Sequence, residues 1–379
     1  MQKNKVDNYF TSNKNYLMNL INGLILNRLY FFLRLWYNIV GGDAMEKKRR
    51  ILTISTITVV SLIIILGRAK GAKFFANTKK YQFKKNTINQ CNQLKDEEKT
   101  KKDKKLQLVY DKEFTKIKDT IDYYVKDSKD YGIYYKDLVS KNTYEYNADK
   151  PFLAASTIKV SLVMDIADKI QEGKLSKNGS VRYISCDYEG GCGVLQGNTA
   201  KLRHPIKYTE LMKYAIVYSD NIATHMLLRS SRNLDKYIEN ICGEKRKSGG
   251  NYITAKQQGL ILERLYNNPK KNPMYNDIIK NMKNTVFHDR LDKYIPHEIC
   301  AHKIGDYKSC VHDTGIIFTK NPYIITVYTE NRISSADRTI SDLSKKIYDI
   351  HIESEKEINN IEKDYKKKIN EIESKYKNK

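Results

Sequence analysis

Seventeen consecutive residues without a charge, ILTISTITVVSLIIILG from Ile51 to Gly67, follow directly on the basic block Lys47-Lys48-Arg49-Arg50. At about 1.5 Å per residue, a run of this length is the short end of what spans a bilayer as a helix. A buried helix of a soluble domain seldom carries charge blocks at both ends, and here Arg68, Lys70 and Lys73 follow closely. Arg68 and Lys70 also interrupt any small-residue cleavage pattern, so a retained anchor is expected rather than a cleaved signal. The block before the run predicts a cytoplasmic N-terminus and an outward-facing remainder. The run therefore divides the chain into an N-terminal anchor, residues 45–67, and a body that folds without it.

The net charge of +24 is distributed around that division. Fifteen of the excess charges lie in residues 1–105, whereas residues 106–352 carry +8 and residues 353–379 carry +1. The body lacks a concentrated basic-aromatic stripe, which argues against nucleic acid as a partner. Charge beside an anchor is suited instead to anionic lipid or cell-wall polymer. A hydrophobic fraction of 40% excludes a wholly disordered chain, and six Cys in 379 residues are too sparse for a disulfide-built scaffold. Within residues 1–44, the apolar stretch from Leu17 to Val40 is interrupted by Arg28 and Arg34. Met45 opens MEKKRR, the usual beginning of an anchor, so a start at Met45 is expected and 1–44 reads as an upstream extension. Residues 68–105, rich in Lys and Asn, read as an extended basic spacer.

From about Leu106 the pattern changes. IDYYVKD reads as a helix, and YGIYYKDLVSKNTYEYNAD as two strands around a polar turn. STIKVSLVMDIADKIQEGKLS is an apolar-periodic helix ending near Gly173. YTELMKYAIVYSDNIATHMLLRSS is a second helical stretch, with Thr209 as its N-cap, and TAKQQGLILERLYNN a third. Two or three strands then follow between Ile295 and Asn331, and a closing helix runs from about Ser335 to His351. This order predicts an α+β or α/β domain over 106–352 with one mostly antiparallel sheet. In the tail, 353–379, Ile358, Ile361, Tyr365, Ile369, Ile372 and Tyr376 form one apolar stripe on a charged helix. It reads either as a solvated terminal helix or as a short self-association coil.

Three short boxes fall in order on the body: Ser156-Thr157-Ile158-Lys159, Ser219-Asp220-Asn221 and Lys303-Ile304-Gly305. Ser156 lies at the start of an apolar helix, so Lys159 projects from the same face one turn later. A helix N-terminus there stabilises developing negative charge. A lysine beside a serine takes its proton once burial and neighbouring cations lower the amine's pKa. The second box sits at a helix boundary and the third on a strand before a turn, placements from which polar groups converge on a cleft.

The trio and its flanks resemble the active-site signature of class A β-lactamases, penicillin-recognising serine hydrolases. The flanks are Pro151-Phe152-Leu153-Ala154-Ala155, Tyr218 to Ala223, Ala301-His302-Lys303 and Thr314-Gly315-Ile316-Ile317. The resemblance covers about 110–352 and implies a β-lactamase/transpeptidase-like fold. That is a three-layer α/β/α arrangement, with an antiparallel five-stranded sheet flanked by helices plus an all-helical subdomain. It implies Ser156 as nucleophile, Lys159 as its base and Ser219 as proton donor to the leaving nitrogen. It further implies Asn221, Lys303 and Gly305 as substrate-binding residues, and the N–H groups of Ser156 and Asp306 as the oxyanion hole. The substrate would be a β-lactam, or a peptidoglycan stem peptide in a D,D-peptidase or transpeptidase. A penicillin-binding sensor module without turnover is the third reading.

The sequence departs from that family in three places. Nothing between Asn221 and Lys303 matches the Glu-x-x-Leu-Asn context of the deacylating glutamate; Glu239 and Glu244 are the nearest carboxylates. Ile304 stands where a hydroxyl residue is usual, and Asp306 puts a carboxylate beside the oxyanion strand. Acylation with slow turnover is expected. No cofactor is implied, and the seven His show no H-E-x-x-H or comparable spacing, so no metal site is expected. His302 and His312 flank the third box. In an exported domain Cys186 with Cys192, and Cys300 with Cys310, are candidate disulfides, whereas Cys91 and Cys242 have no evident partner.

Overall fold

Alternate residues of the central strands face two different cores. Tyr134, Ala301, Ile316 and Ile324 pack with Phe152, Leu162 and Ile261 on one side. Their neighbours Ile133, Tyr135, Cys300, Ile317 and Ile325 pack with Ile117, Ile121, Ile340 and Ile347 on the other. This period of two, with both faces covered, defines the middle layer of a three-layer domain.

The computed structural model describes residues 31, 46–330 and 335–377, with side chains of 46–58 left out. It divides into two units, Met1–Gln90 with Lys379, and Cys91–Asn378. Helix α1 (Glu46–Val125) contributes to both. In the second unit follow strands β1 (Tyr131–Asp137), β2 (Thr143–Tyr146) and β3 (Pro151–Leu153). A helical middle comprises α2 (Lys159–Gln171), α3 (Thr199–Leu202), α4 (Tyr208–Val217), α5 (Asn221–Ser231) and α6 (Leu234–Cys242). The short strands β4 (Ser180–Val181) and β5 (Ile206–Lys207) pair within it. β6 (Tyr252–Thr254), α7 (Ala255–Asn267) and α8 (Met274–Lys283) precede the strands β7 (Cys300–Tyr307), β8 (Cys310–Ile317) and β9 (Tyr323–Thr329), and α9 (Ala336–Lys377) closes the chain. The main sheet has the order β2-β1-β9-β8-β7, antiparallel throughout. This is the expected α+β architecture with five antiparallel strands.

Several expectations are corrected. Residues 68–105 are helical rather than extended. They contain no proline and abound in Lys, a good helix former. The stretch read as one helix from Tyr208 is two, α4 and α5, broken at Ser219, whose φ of 52° is left-handed. Lys207, not Thr209, is the N-cap of α4. The tail is not a separate segment but the continuation of α9. Its stripe is covered by α1 of the same chain. Lys116 pairs with Glu353, Glu98 with Lys368 and Lys95 with Glu373, an antiparallel register held along the seam. The stripe, read either as a solvated terminal helix or as a short self-association coil, thus packs against the same chain.

Residues 1–30 and 32–44, and with them the Met45 start, lie outside the described residues. Among those described, no helix is long and apolar enough to cross a membrane. Within the uncharged run, Val59 and Leu62 through Leu66 are all largely exposed.

Candidate active site

The first box is set by a sharp turn. β3 pairs with β6, and Ala154 N–H donates to Asn251 O at 2.6 Å. Ala155 then takes φ = 47°, a left-handed conformation uncommon for a residue with a Cβ. It opens a 3₁₀ turn, Ala155–Ile158, that runs straight into α2. Three residues per 3₁₀ turn bring Ser156 and Lys159 onto one face, as the spacing predicts, though Ser156 precedes the α-helix rather than beginning it. Thr157 Oγ1 donates to Ala154 O (2.7 Å) and receives the hydroxyl of buried Tyr328 (2.7 Å). The turn is clamped from beneath, with Ser156 left half-buried on its outer side.

Ser219 lies between two buried amines. Lys159 Nζ donates to Ser219 O (2.7 Å), Ser219 Oγ (3.2 Å) and Asn221 Oδ1 (2.8 Å). Lys303 Nζ donates to the same Ser219 Oγ (3.0 Å) and to Ile304 O (3.0 Å). Burial lowers Lys159 to about 8. Burial, reinforced by the charge on Lys159, lowers Lys303 to about 7. The second and third boxes therefore converge on the lysine of the first, as expected.

Asp220, between Ser219 and Asn221, fixes the box in place. Its Oδ1 caps α5 through Ala223 N–H (2.9 Å), and its Oδ2 accepts from Val194 N–H (2.7 Å) and Leu195 N–H (2.8 Å). Gly193 allows that approach: at φ = 117°, a Cβ there would lie 2.3 Å from Asp220 Oδ2. Asn221 Nδ2 donates to Gly190 O (3.0 Å), so the loop between Cys186 and Cys192 borders the site. All six cysteines are free thiols. Cys300 pairs with Ile317 and Cys310 with Tyr307, at opposite ends of the β7–β8 hairpin. Seven residues of strand separate those rows by about 23 Å, far beyond disulfide reach. Cys192 Sγ is turned to Tyr218 O (3.4 Å) instead of Cys186.

The third box lies on β7, the edge of the sheet. A Cβ on Gly305 would meet Thr157 Cγ2 at 3.0 Å, Ala154 O at 3.1 Å and Ala155 Cβ at 3.3 Å. Glycine thus suits the close packing of β7 on the Ser156 turn, where a methyl group would need its neighbours to give by a few tenths of an ångström. Asp306 does not stand unpaired beside the strand. Arg290 Nη2 donates to both its carboxylate oxygens (2.8 and 2.7 Å), while Nη1 holds His312 O (2.8 Å). His302 and His312 are buried and do not line an open cleft. Burial opposes charge on His302, but the carboxylates of Asp313 and Asp292 more than offset it and raise the imidazole to about 10. His312 is pushed down to about 4 by burial. It donates from Nε2 to Leu153 O (2.8 Å) and accepts Thr329 N–H at Nδ1 (3.0 Å).

Of the two glutamates singled out as deacylation bases, Glu244 is exposed and Glu239 faces Lys236 on α6. From that segment the side chain reaching the nucleophile turn is Asn251, whose Nδ2 donates to Ala155 O (3.1 Å). Sequence reasoning missed Asn251, Asp220 and Arg290. Only Asp220, lodged inside the second box, carried a local signal.

Residues 114–351 match the model of a family described as the beta-lactamase enzyme family. The curated β-lactamase SME-1 of Serratia marcescens is 24% identical over 253 residues, 56% of this chain and 81% of its own. Among solved structures, PBP-A is similar with a TM-score of 0.57 at 20% identity, over 62% of this chain and 96% of its own. A point mutant of PBP-A, solved as an acyl-enzyme complex with penicillin G, also gives 0.57 at 20% identity, over 63% of this chain and 97% of its own. A β-lactamase from Sphaerobacter thermophilus gives 0.54 at 19%, over 62% and 95%.

Proposed function

The chain belongs to the beta-lactamase enzyme family, and from that premise we propose that it is a membrane-anchored, extracytoplasmic serine hydrolase that opens β-lactams through an acyl-enzyme on Ser156 and deacylates slowly. The observation that carries this reading is the Ser219 hydroxyl held by both Lys159 and Lys303. In the forward step the neutral Lys159 amine takes the Ser156 hydroxyl proton while Oγ bonds to the lactam carbonyl carbon. The N–H groups of Ser156 and Asp306 receive the oxyanion; one such donor is typically worth about 10²–10³ in rate. The C–N bond then breaks. The nitrogen takes the Ser219 proton, which Lys159 replaces across their hydrogen bond. Lys303 supplies the positive charge for the substrate carboxylate, and Asn221 contacts its amide.

Slow deacylation is supported by Asn251, not a carboxylate, reaching the nucleophile turn. The same observation favours a second reading, in which peptidoglycan stem peptides are the natural acyl donors and β-lactams act as trapping analogues or as signals for a sensor. Anchoring is supported by the uncharged run after Lys47–Arg50 and by the exposed apolar side chains from Val59 to Leu66. The test is to mix the full-length chain in detergent with a fluorescent penicillin and a chromogenic cephalosporin. A stoichiometric adduct, absent in Ser156→Ala, with hydrolysis much slower than adduct formation, is expected. Labelling that survives in Ser156→Ala removes the nucleophile from its role, and rapid multiple turnover removes slow deacylation.

A further inference from the structure

Behind the third box, on the segment between α8 and β7, three side chains from 288–297 converge on one point. His288 Nδ1 lies 2.5 Å and His297 Nδ1 2.8 Å from the same oxygen, Asp292 Oδ2. All three potential ligand atoms lie within 4.8 Å of one another. We propose that His288, Asp292 and His297 form a binding site for a divalent transition-metal ion of the zinc type.

Three observations point to a ligand rather than to a closed hydrogen-bonded group. The Asp292 side chain is 1% exposed while the two imidazoles are 39% and 53% exposed, so the donors face solvent from a buried carboxylate base. Asp292 Oδ1 is buried without a hydrogen-bond partner, leaving that carboxylate under-used. Two imidazoles and one carboxylate are the donor set that suits zinc and its neighbours, and three protein ligands leave a coordination position for water. The exposed rings can widen the group to the spacing of about 2.0–2.2 Å metal bonds by small side-chain rotations, since neither is packed into the core. His302 Nε2, 3.2 Å from Asp292 Oδ2, backs the carboxylate from the buried side, as outer-shell partners of metal ligands do.

The spacings of four and five residues lie on an irregular segment, so no helix-based ligand motif reveals the group. Its place gives it a consequence. Arg290 stands between the first two ligands, and its guanidinium holds Asp306 on the edge of β7. An ion bridging residues 288, 292 and 297 would pin the backbone that presents that guanidinium. The reaction proposed for Ser156 does not pass through this ion.

The test titrates metal-free, full-length protein with Zn²⁺ by calorimetry and with Co²⁺ by visible absorption. One ion per chain is expected, with Co²⁺ bands of nitrogen and oxygen ligation and no thiolate charge transfer. His288→Ala with His297→Ala should weaken Zn²⁺ binding by about 100-fold or more. Both rings are on the surface, and circular dichroism confirms that the double variant is folded; His297→Ala alone gives a second reading of the same loss. A wild-type chain with no saturable binding overturns the proposal. So does unchanged affinity in the variants, or a cobalt spectrum with thiolate character, which assigns the ion to the free cysteines.

Discussion

Lys303→Met should leave the protein more stable and unable to acylate. Lys303 is fully buried, and its amine is lowered from 10.5 to about 7. A shift of that size is a cost of about 5 kcal/mol for keeping the charged form folded. Methionine has a similar unbranched shape and carries no charge, but it forfeits the bonds to Ser219 Oγ and Ile304 O, worth about 1 kcal/mol each net. The difference is a gain of about 3 kcal/mol at pH 6, or about 6–12 °C in melting temperature for a body of this size. The sign with pH follows from linkage. The folded pKa is below the unfolded one, so between about 7 and 10.5 the unfolded chain binds more protons and the wild type gains stability as pH rises. The variant's advantage is therefore full below pH 7, narrows by about 1.4 kcal/mol per unit above it, is gone by about pH 9 and is reversed by about pH 10.5, where only the lost hydrogen bonds remain. Melting curves of both proteins from pH 6 to 10, with fluorescent-penicillin labelling alongside, measure this directly. A variant less stable than wild type at pH 6, or a gap that does not narrow with pH, refutes the assignment of Lys303 as a strained buried cation.

Gly305→Ala presses a methyl group against Thr157, Ala154 and Ala155 at 3.0–3.3 Å, so the nucleophile turn must shift. A loss of about 1–3 kcal/mol in denaturant unfolding and of about 100-fold in acylation rate is expected; near-wild-type acylation would show that the glycine serves only the ligand. The acylation rate should follow a narrow bell in pH with limbs near 7 and 8, because one proton shared between the two amines leaves a base and a cation together. A flat profile from pH 6 to 9 contradicts that pairing. Arg290→Ala frees the Asp306 carboxylate beside Lys303 and should slow acylation by an anionic β-lactam about 10–100-fold, with most of the loss recovered in Arg290→Ala/Asp306→Asn. No recovery in the double variant would mean that Arg290 acts on something other than Asp306.

What the sequence made legible depended on distance along the chain. Ser156 and Lys159 are three residues apart, and Ser219 and Asn221 share one helix start, so local geometry sufficed to pair them. The five-stranded sheet came through the resemblance, and the alternation of Tyr, Ile and Val in β1 and β9 agrees with it. Arg290 lay hidden because its partner Asp306 is 16 residues away across a turn. Asn251 reaches Ala155 over 96 residues, through a strand pair of only three residues on each side. The apolar period runs on from α4 into α5; the second box marked a helix boundary there, and the left-handed backbone of Ser219 shows where the break falls. α1 looked like a spacer because half of its seam is polar; Glu98 and Lys102 become inward positions only when α9 lies against them. The Cys300–Cys310 pairing failed for the opposite reason. Nearness in sequence counts for nothing once a hairpin holds the two at its far ends.

The charge around Lys303 explains why an acidic residue is tolerated next to the third box. Two buried amines share one hydroxyl, and the carboxylates nearest Lys303 are each committed elsewhere. Asp306 is held by Arg290, and Asp313 accepts from His302 (2.9 Å) and from the N–H groups of Leu291 and Thr314. Their fields still reach Lys303, but neither takes its hydrogen bonds. Had either been free to close on the ammonium, it would have formed a buried ion pair, raised the amine's pKa and neutralised the charge that an anionic ligand needs. Arg290 and His302 therefore act as substitute partners for the two carboxylates, leaving the Lys303 amine with no carboxylate bonded to it. The arrangement costs stability at the site and, in the function proposed above, keeps an electrostatic position open for a substrate carboxylate.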